Sequence, residues 1–250
     1  MESEFADKDV MVMTIDEYLR KYELAEFRFK KVVLDCNFEE YLKLLDAKFE
    51  KSDVIKKIRE NRNYGFQNFI VMIGKGQIGK SIGMLNLLLY FNRDANFEKY
   101  IAYDLNSYLE KSNTMYKKFI AIEEAHRIFR TKTKEEDIEI SNILIDYYET
   151  SPFLQNSLIL TQPSLRMLRV FKSKIDYLFQ FIRRGIANVY IPLTNINNTK
   201  EYFKFAKERV YFYPIPIEIY KRYEKMSYNS KQDLISIDKQ MIKRYSNPYR

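Results

Sequence analysis

Residues Gly74 to Ser81, GKGQIGKS, fill every fixed position of the pattern G-x-x-x-x-G-K-[ST]. The pattern suits one chemistry, the holding of a phosphate chain. Glycine at positions 74, 76 and 79 lets backbone N–H groups crowd round an anion. A helix starting near Lys80 points the positive end of its dipole at the same place. Lys80 then reaches the β- and γ-phosphates, and the Ser81 hydroxyl is a ligand for Mg²⁺. Gly74, Lys75, Gly76, Gln77, Ile78, Gly79, Lys80, Ser81 and Ile82 are the expected nucleotide contacts. The chain has only six glycines, and four fall between Gly74 and Gly83, so unusual backbone is concentrated at this loop.

The second chemistry-bearing stretch is KKFIAIEEAHRIF. Phe119–Ile122 has the composition of a strand buried on both faces. Glu123 and Glu124 follow where the chain should leave the C-terminal edge of a sheet, the edge at which open α/β sheets bind ligands. An apolar strand ending in paired acids is the Walker B pattern. Glu123 is expected to hold Mg²⁺ through water, with a longer side chain than the usual Asp. Glu124 is expected to orient and polarise an attacking water. The plainer alternative is a solvated helix start, where acids are favoured anyway. His126, the only histidine, is expected to be a structural hydrogen bonder and not a catalyst.

Two further candidates come from later strand ends. Ser157–Thr161 reads as a strand closed by Gln162-Pro163. A polar residue at that tip can sense the γ-phosphate or position the water, so Gln162 is a candidate sensor; a simple strand-end role is the alternative. Ile175–Ile182 reads as a strand ending in Arg183-Arg184. The pair could be an arginine finger offered to a neighbouring subunit, a contact to DNA, or a solvated charge.

These residues need elements to position them. Residues 65–185 read as an α/β core: a strand at Gln67–Ile73, a helix at Lys80–Phe91, helical Leu105–Glu110, the Phe119–Ile122 strand, and a helix at Lys134–Tyr148 capped by Thr133. Ile140, Ile143, Leu144 and Tyr147 form the inward stripe of that last helix. Residues 1–64 hold no Gly or Pro and read as a helical extension. Thr14 and Glu17 have capping-box spacing, Phe27–Leu34 reads as a short strand, Asn37 precedes a helix at Phe38–Phe49, and a third helix follows Ser52. This region either packs on the core or serves as a partner-binding or oligomerisation arm. All six prolines lie beyond residue 150. Residues 186–250 read as a small β-rich extension, with strands at Val189–Pro192, Asn195–Asn198 and Val210–Ile219, followed by a mobile basic terminus.

Bulk composition narrows the partners. A chain of 250 residues with 46% hydrophobic and 30% charged residues can build a real core. A net charge of +8 favours a polyanionic partner. The C-terminal lysines, arginines and tyrosines suit nucleic-acid backbone and base stacking, or a solvated tail. Cys36 is the only cysteine, which excludes an intramolecular disulfide and points to a reducing compartment. The acidic N-terminus is unlike a signal peptide, and Met84–Phe91 is far short of the roughly 20 apolar residues a membrane span needs. The expectation is a soluble cytoplasmic protein, in a host cytoplasm if viral.

Taken together, GKGQIGKS, FIAIEEAHRIF and LILTQPS resemble the HerA–FtsK superfamily of P-loop ATPases, most closely its viral genome-packaging and Zot-like branch. The likeness covers about residues 66–184. It implies a RecA-like core, ATP hydrolysis with Mg²⁺, and a ring, commonly a hexamer, that translocates double-stranded DNA for packaging or transfer of a viral or plasmid genome. By position it assigns phosphate and metal binding to Lys80 and Ser81, the metal role to Glu123, water activation to Glu124 and the sensor role to Gln162.

Other readings stay open. KGQIGKS lies one residue from the KGGxGK[ST] pattern of ParA-like ATPases, whose extra lysine, here Lys75, crosses a dimer; Gln77 replaces a glycine of that pattern. A replication initiator or helicase loader, a small-molecule kinase, and a Zot-like nucleotide-gated scaffold working with virion or membrane-assembly proteins are the remaining rivals. DNA-stimulated ATPase activity separates a motor from a scaffold.

Overall fold

The computed structural model describes residues 10–22, 31–125, 134–164, 174–194, 200–202 and 206–245. His126, the Thr133 cap and the Asn195–Asn198 strand lie outside the described residues.

The chain opens with β1 (Val10–Met13), α1 (Ile15–Tyr22) and β2 (Lys31–Leu34), the two strands pairing in parallel. The Thr14–Glu17 box forms: the Glu17 N–H donates to Thr14 Oγ1 at 3.2 Å, and the Thr14 N–H donates to Glu17 Oε2 at 2.9 Å. Helix α2 (Phe38–Phe49) is capped by Asn37, and α3 (Asp53–Asn63) by Ser52. On α2 the buried stripe is Tyr41, Leu45 and Phe49, one position every four residues. The Phe49 ring meets Tyr90 edge-on at 4.9 Å, so the N-terminal helices share one apolar core with the centre of the molecule.

Next come β3 (Phe69–Ile73), α4 (Lys80–Asn92), β4 (Ile101–Ala102), α5 (Leu105–Asn113), β5 (Phe119–Ile122), α6 (Lys134–Thr150), β6 (Ser157–Gln162) and β7 (Tyr177–Arg183). The chain continues through β8 (Ile186–Tyr190), β9 (Pro192–Thr194), β10 (Lys200–Tyr202) and β11 (Glu208–Tyr211) to the long helix α7 (Ile217–Tyr245). Seven strands make the central sheet, in the order β11-β8-β7-β3-β6-β5-β4. The five from β7 to β4 run parallel; at one edge β8 is added antiparallel to β7, and β11 antiparallel to β8. The sheet is therefore mostly parallel and lies between helices, which is why β3 and β5 are apolar on both faces. Ile70 and Met72 face the core shared with α4, while Phe69, Val71 and Ile73 face the core shared with α5 and α6.

Three expectations are corrected. The boundary at residue 185 falls in the turn between two paired strands: β8 and β11 extend the main sheet and do not form a separate β-rich unit. The mobile basic terminus is, from Ile217 to Tyr245, a helix, and it takes in Ile217–Ile219, which had been read as strand. Ile143 is 42% exposed and lies off the buried stripe of α6, where Leu144 is fully buried. Among the described residues no helix is long and apolar enough to cross a membrane.

Candidate functional site

The C-terminal ends of β3, β5 and β6 converge on one edge of the sheet. Strand β6 lies between the other two, so the paired acids arrive from the second strand over from the glycine loop, and not from its immediate neighbour. Ile73 is in register with Gln162, and the Gly74 N–H donates to the Pro163 carbonyl at 3.3 Å. The loop thus leaves the sheet directly beside the tip of β6.

The loop turns back into α4 at Gly79, whose φ of 96° an L side chain rarely adopts. A Cβ there would also come within 3.2 Å of the Gly185 nitrogen. Lys75, Gly76 and Gln77 are exposed at the loop tip; Ile78 and Ile82 pack against the core behind it. The Lys80 ammonium curls over the loop and donates to the carbonyls of Gly74 and Lys75, each at 2.8 Å. Burial lowers the Lys80 pKa, and the charges of Glu124 and Glu123 oppose that shift. Lysine and both acids therefore sit within one electrostatic neighbourhood.

Among the described residues Glu123 is the most deeply placed acid, 2% exposed. Its N–H continues the sheet by donating to the Ala102 carbonyl at 2.9 Å. Its Oε1 accepts from Ser81 Oγ at 2.6 Å and also from the Tyr223 hydroxyl. Its Oε2 is buried without a hydrogen-bond partner among the described residues. An unpartnered buried carboxylate oxygen is costly. With the Ser81 hydroxyl alongside, it forms a pair of hard oxygen donors that fits a magnesium ion and its waters. No cluster of three or more His, Cys, Asp or Glu residues occurs among the described residues, so such an ion would take the rest of its shell from phosphate and water.

Glu124 sits in the turn that follows. Its φ is 53°, uncommon for a residue with a side chain. The turn is held by its N–H donating to Thr161 Oγ1 at 3.0 Å. Gln162 is 1% exposed, and neither its amide oxygen nor its nitrogen finds a hydrogen-bond partner among the described residues. A buried amide with both ends unmatched is rare in a protein interior.

Arg183 and Arg184 stand exposed at the turn between β7 and β8. The Arg184 Cγ lies 3.5 Å from where a Gly79 Cβ would be. The pair thus sits beside the glycine loop of its own chain.

Lys80, Ser81, Glu123, Glu124 and Gln162 are all brought to this edge, with Arg184 beside them. The sequence reading missed Thr161, Tyr223 and Tyr103. Thr161 adjoins Gln162 within LILTQPS and was read only as strand. Tyr103 follows β4, and its hydroxyl is raised by burial first and by the Glu123 charge next. Tyr223 lies 100 positions from Glu123 and carries no local signal. No family model matches the chain, and a search of curated proteins finds no match.

Proposed function

We propose that the chain is a magnesium-dependent P-loop ATPase with a RecA-like core, and that it works as a HerA–FtsK-type motor on double-stranded DNA. The observation that carries the ATPase reading is the meeting of Ser81 and Glu123 at 2.6 Å, at the mouth of the loop that Lys80 closes. Two residues separated by 42 positions, each of the type needed to hold a nucleotide-bound metal, are brought together there.

The proposed residue roles are these. Backbone N–H groups of the loop and the N-terminus of α4 bind the phosphates. Lys80 exchanges its two carbonyl partners for phosphate oxygens. Ser81 and Glu123 hold the magnesium ion, which when bound neutralises charge developing on the β- and γ-phosphates. Glu124 orients water for in-line attack, and Gln162 supplies an amide beside it. Most of the catalysis is positioning and charge stabilisation.

The DNA part of the reading rests on the motif resemblance and the net charge of +8, which favours backbone contact without base readout. The test is phosphate release from Mg-ATP with and without double-stranded DNA. Wild type should hydrolyse ATP faster with DNA, and Lys80→Ala should be inactive in both conditions. Unchanged hydrolysis in Lys80→Ala would remove the ATPase reading. Hydrolysis indifferent to DNA would leave an ATPase and remove the motor, favouring a nucleotide-gated scaffold.

A further inference from the structure

Two donors converge on one oxygen of the buried Glu123 carboxylate, and one of them comes from the far end of the chain. Ser81 Oγ and the Tyr223 hydroxyl both donate to Oε1, while Oε2 is left without a partner among the described residues. We infer that Tyr223 is a positioning residue for the metal site: its hydroxyl fixes the Glu123 carboxylate so that Oε2 faces the ion, and it couples α7 to that ion. The inference rests on the ATPase reading above and names a residue to which no motif points.

The argument begins with what binding would change. Ser81 is both a donor to Glu123 and the expected direct metal ligand. A hydroxyl that binds a cation through an oxygen lone pair keeps its proton and can still donate to Glu123, but its position is then set by the metal. Tyr223 has no such second task. It is 7% exposed, and its hydroxyl would remain available to Oε1 with Ser81 on the metal. A glutamate has one more rotatable bond than the usual aspartate, so its carboxylate needs an outside partner to be held in one orientation.

The tyrosine is itself held. Arg222, its neighbour, forks onto the Glu98 carboxylate at 2.7 and 2.6 Å. The Phe97 ring lies 6.5 Å from the Tyr223 ring. The segment leading into α7 is tied at three points: the Phe212 N–H donates to the Gly185 carbonyl at 2.7 Å, Asn86 of α4 bonds both polar backbone groups of Tyr213, and the Leu34 N–H donates to the Ile215 carbonyl at 3.0 Å. Helix α7 thus meets the site as a rigid element. Helix α7 is thereby linked to the Glu123 carboxylate through the Tyr223 hydroxyl.

Tyr223→Phe removes that hydroxyl and keeps the ring. The measurement is equilibrium binding of a fluorescent ATP analogue, titrated with Mg²⁺, in wild type, Tyr223→Phe, Glu123→Gln and the double variant. Tyr223→Phe should need about 10- to 100-fold more Mg²⁺ for half-maximal binding, the usual cost of losing a partner that orients a ligand. Its metal-free nucleotide affinity should be unchanged. In the Glu123→Gln background the same substitution should add no further shift. A Mg²⁺ requirement equal to wild type overturns the inference, as does an equal shift in both backgrounds, which would mark a general packing effect. Absence of Mg²⁺-dependent nucleotide binding in wild type would instead overturn the ATPase reading beneath it.

Discussion

Among single residues, Glu124 takes a left-handed backbone conformation, as Gln77, Arg93, Lys117 and Gln155 also do. A non-glycine residue at φ 53° costs on the order of 1 kcal/mol, and the hydrogen bond to Thr161 is what maintains it. On the proposed reading the two adjacent acids have different roles. Glu124→Gln keeps the size and the backbone and removes the charge. It should retain Mg-ATP binding and lose about 10²–10⁴-fold in turnover, the usual weight of a positioned base; normal turnover would remove the water-activating role. Thr161→Val tests the support. The valine leaves the Glu124 N–H without its acceptor, at about 1–3 kcal/mol, so urea unfolding should show that loss together with slower turnover. A variant as stable as wild type would mean that the turn is held by something else.

At the scale of elements, the site depends on how closely α4 lies on the sheet. A Cβ at Gly83 would stand 2.4 Å from Phe181 Cζ. The Phe181 ring cannot easily swing away, because it is buried and stacked on Phe212 with centroids 5.5 Å apart. Gly83→Ala should therefore lift α4 and cost about 1–3 kcal/mol, read as a lower urea midpoint with an unchanged slope. The same intimacy explains which elements were legible. Helix α4 and strand β5 were placed within a residue, because a glycine-to-lysine start and a four-residue apolar run are local signals. Asn86, which interrupts the apolar run of α4, reads locally as a polar break; it is fully buried and bonded to the backbone of Tyr213. Helix α7 was illegible for the opposite reason. Its first turns, rich in Ile and Tyr, follow Pro214 and Pro216 and have strand-like composition. Packing against β2 and the hydrogen bond from Tyr223 to the Glu123 carboxylate, not propensity, make them helical. The candidate site divides along the same line: motif residues were readable, whereas Thr161 and Tyr223 are defined only by what the fold brings to them.

For the molecule as a whole, the placement of Arg183 and Arg184 bears on how subunits would cooperate. An arginine finger offered to a neighbour should project away from its own nucleotide loop. Here the turn that carries the pair lies against that loop, with Gly185 nitrogen and Arg184 Cγ the nearest atoms to the position of a Gly79 Cβ. On the proposed reading, charge delivered by Arg184 would then go to phosphates held by the same chain. Mixing separates the two arrangements. Arg184→Ala should slow hydrolysis by at least about tenfold, since a cation at the transferring phosphate contributes strongly to the transition state. Arg184→Ala chains mixed with Lys80→Ala chains should stay as slow as the sum of the two alone. In a ring with fingers in trans, the mixture would regain activity, because an intact Lys80 site would meet an intact Arg184 across some of the interfaces. Recovery on mixing would therefore move the arginine to the neighbouring subunit and require the turn between β7 and β8 to leave the loop on assembly.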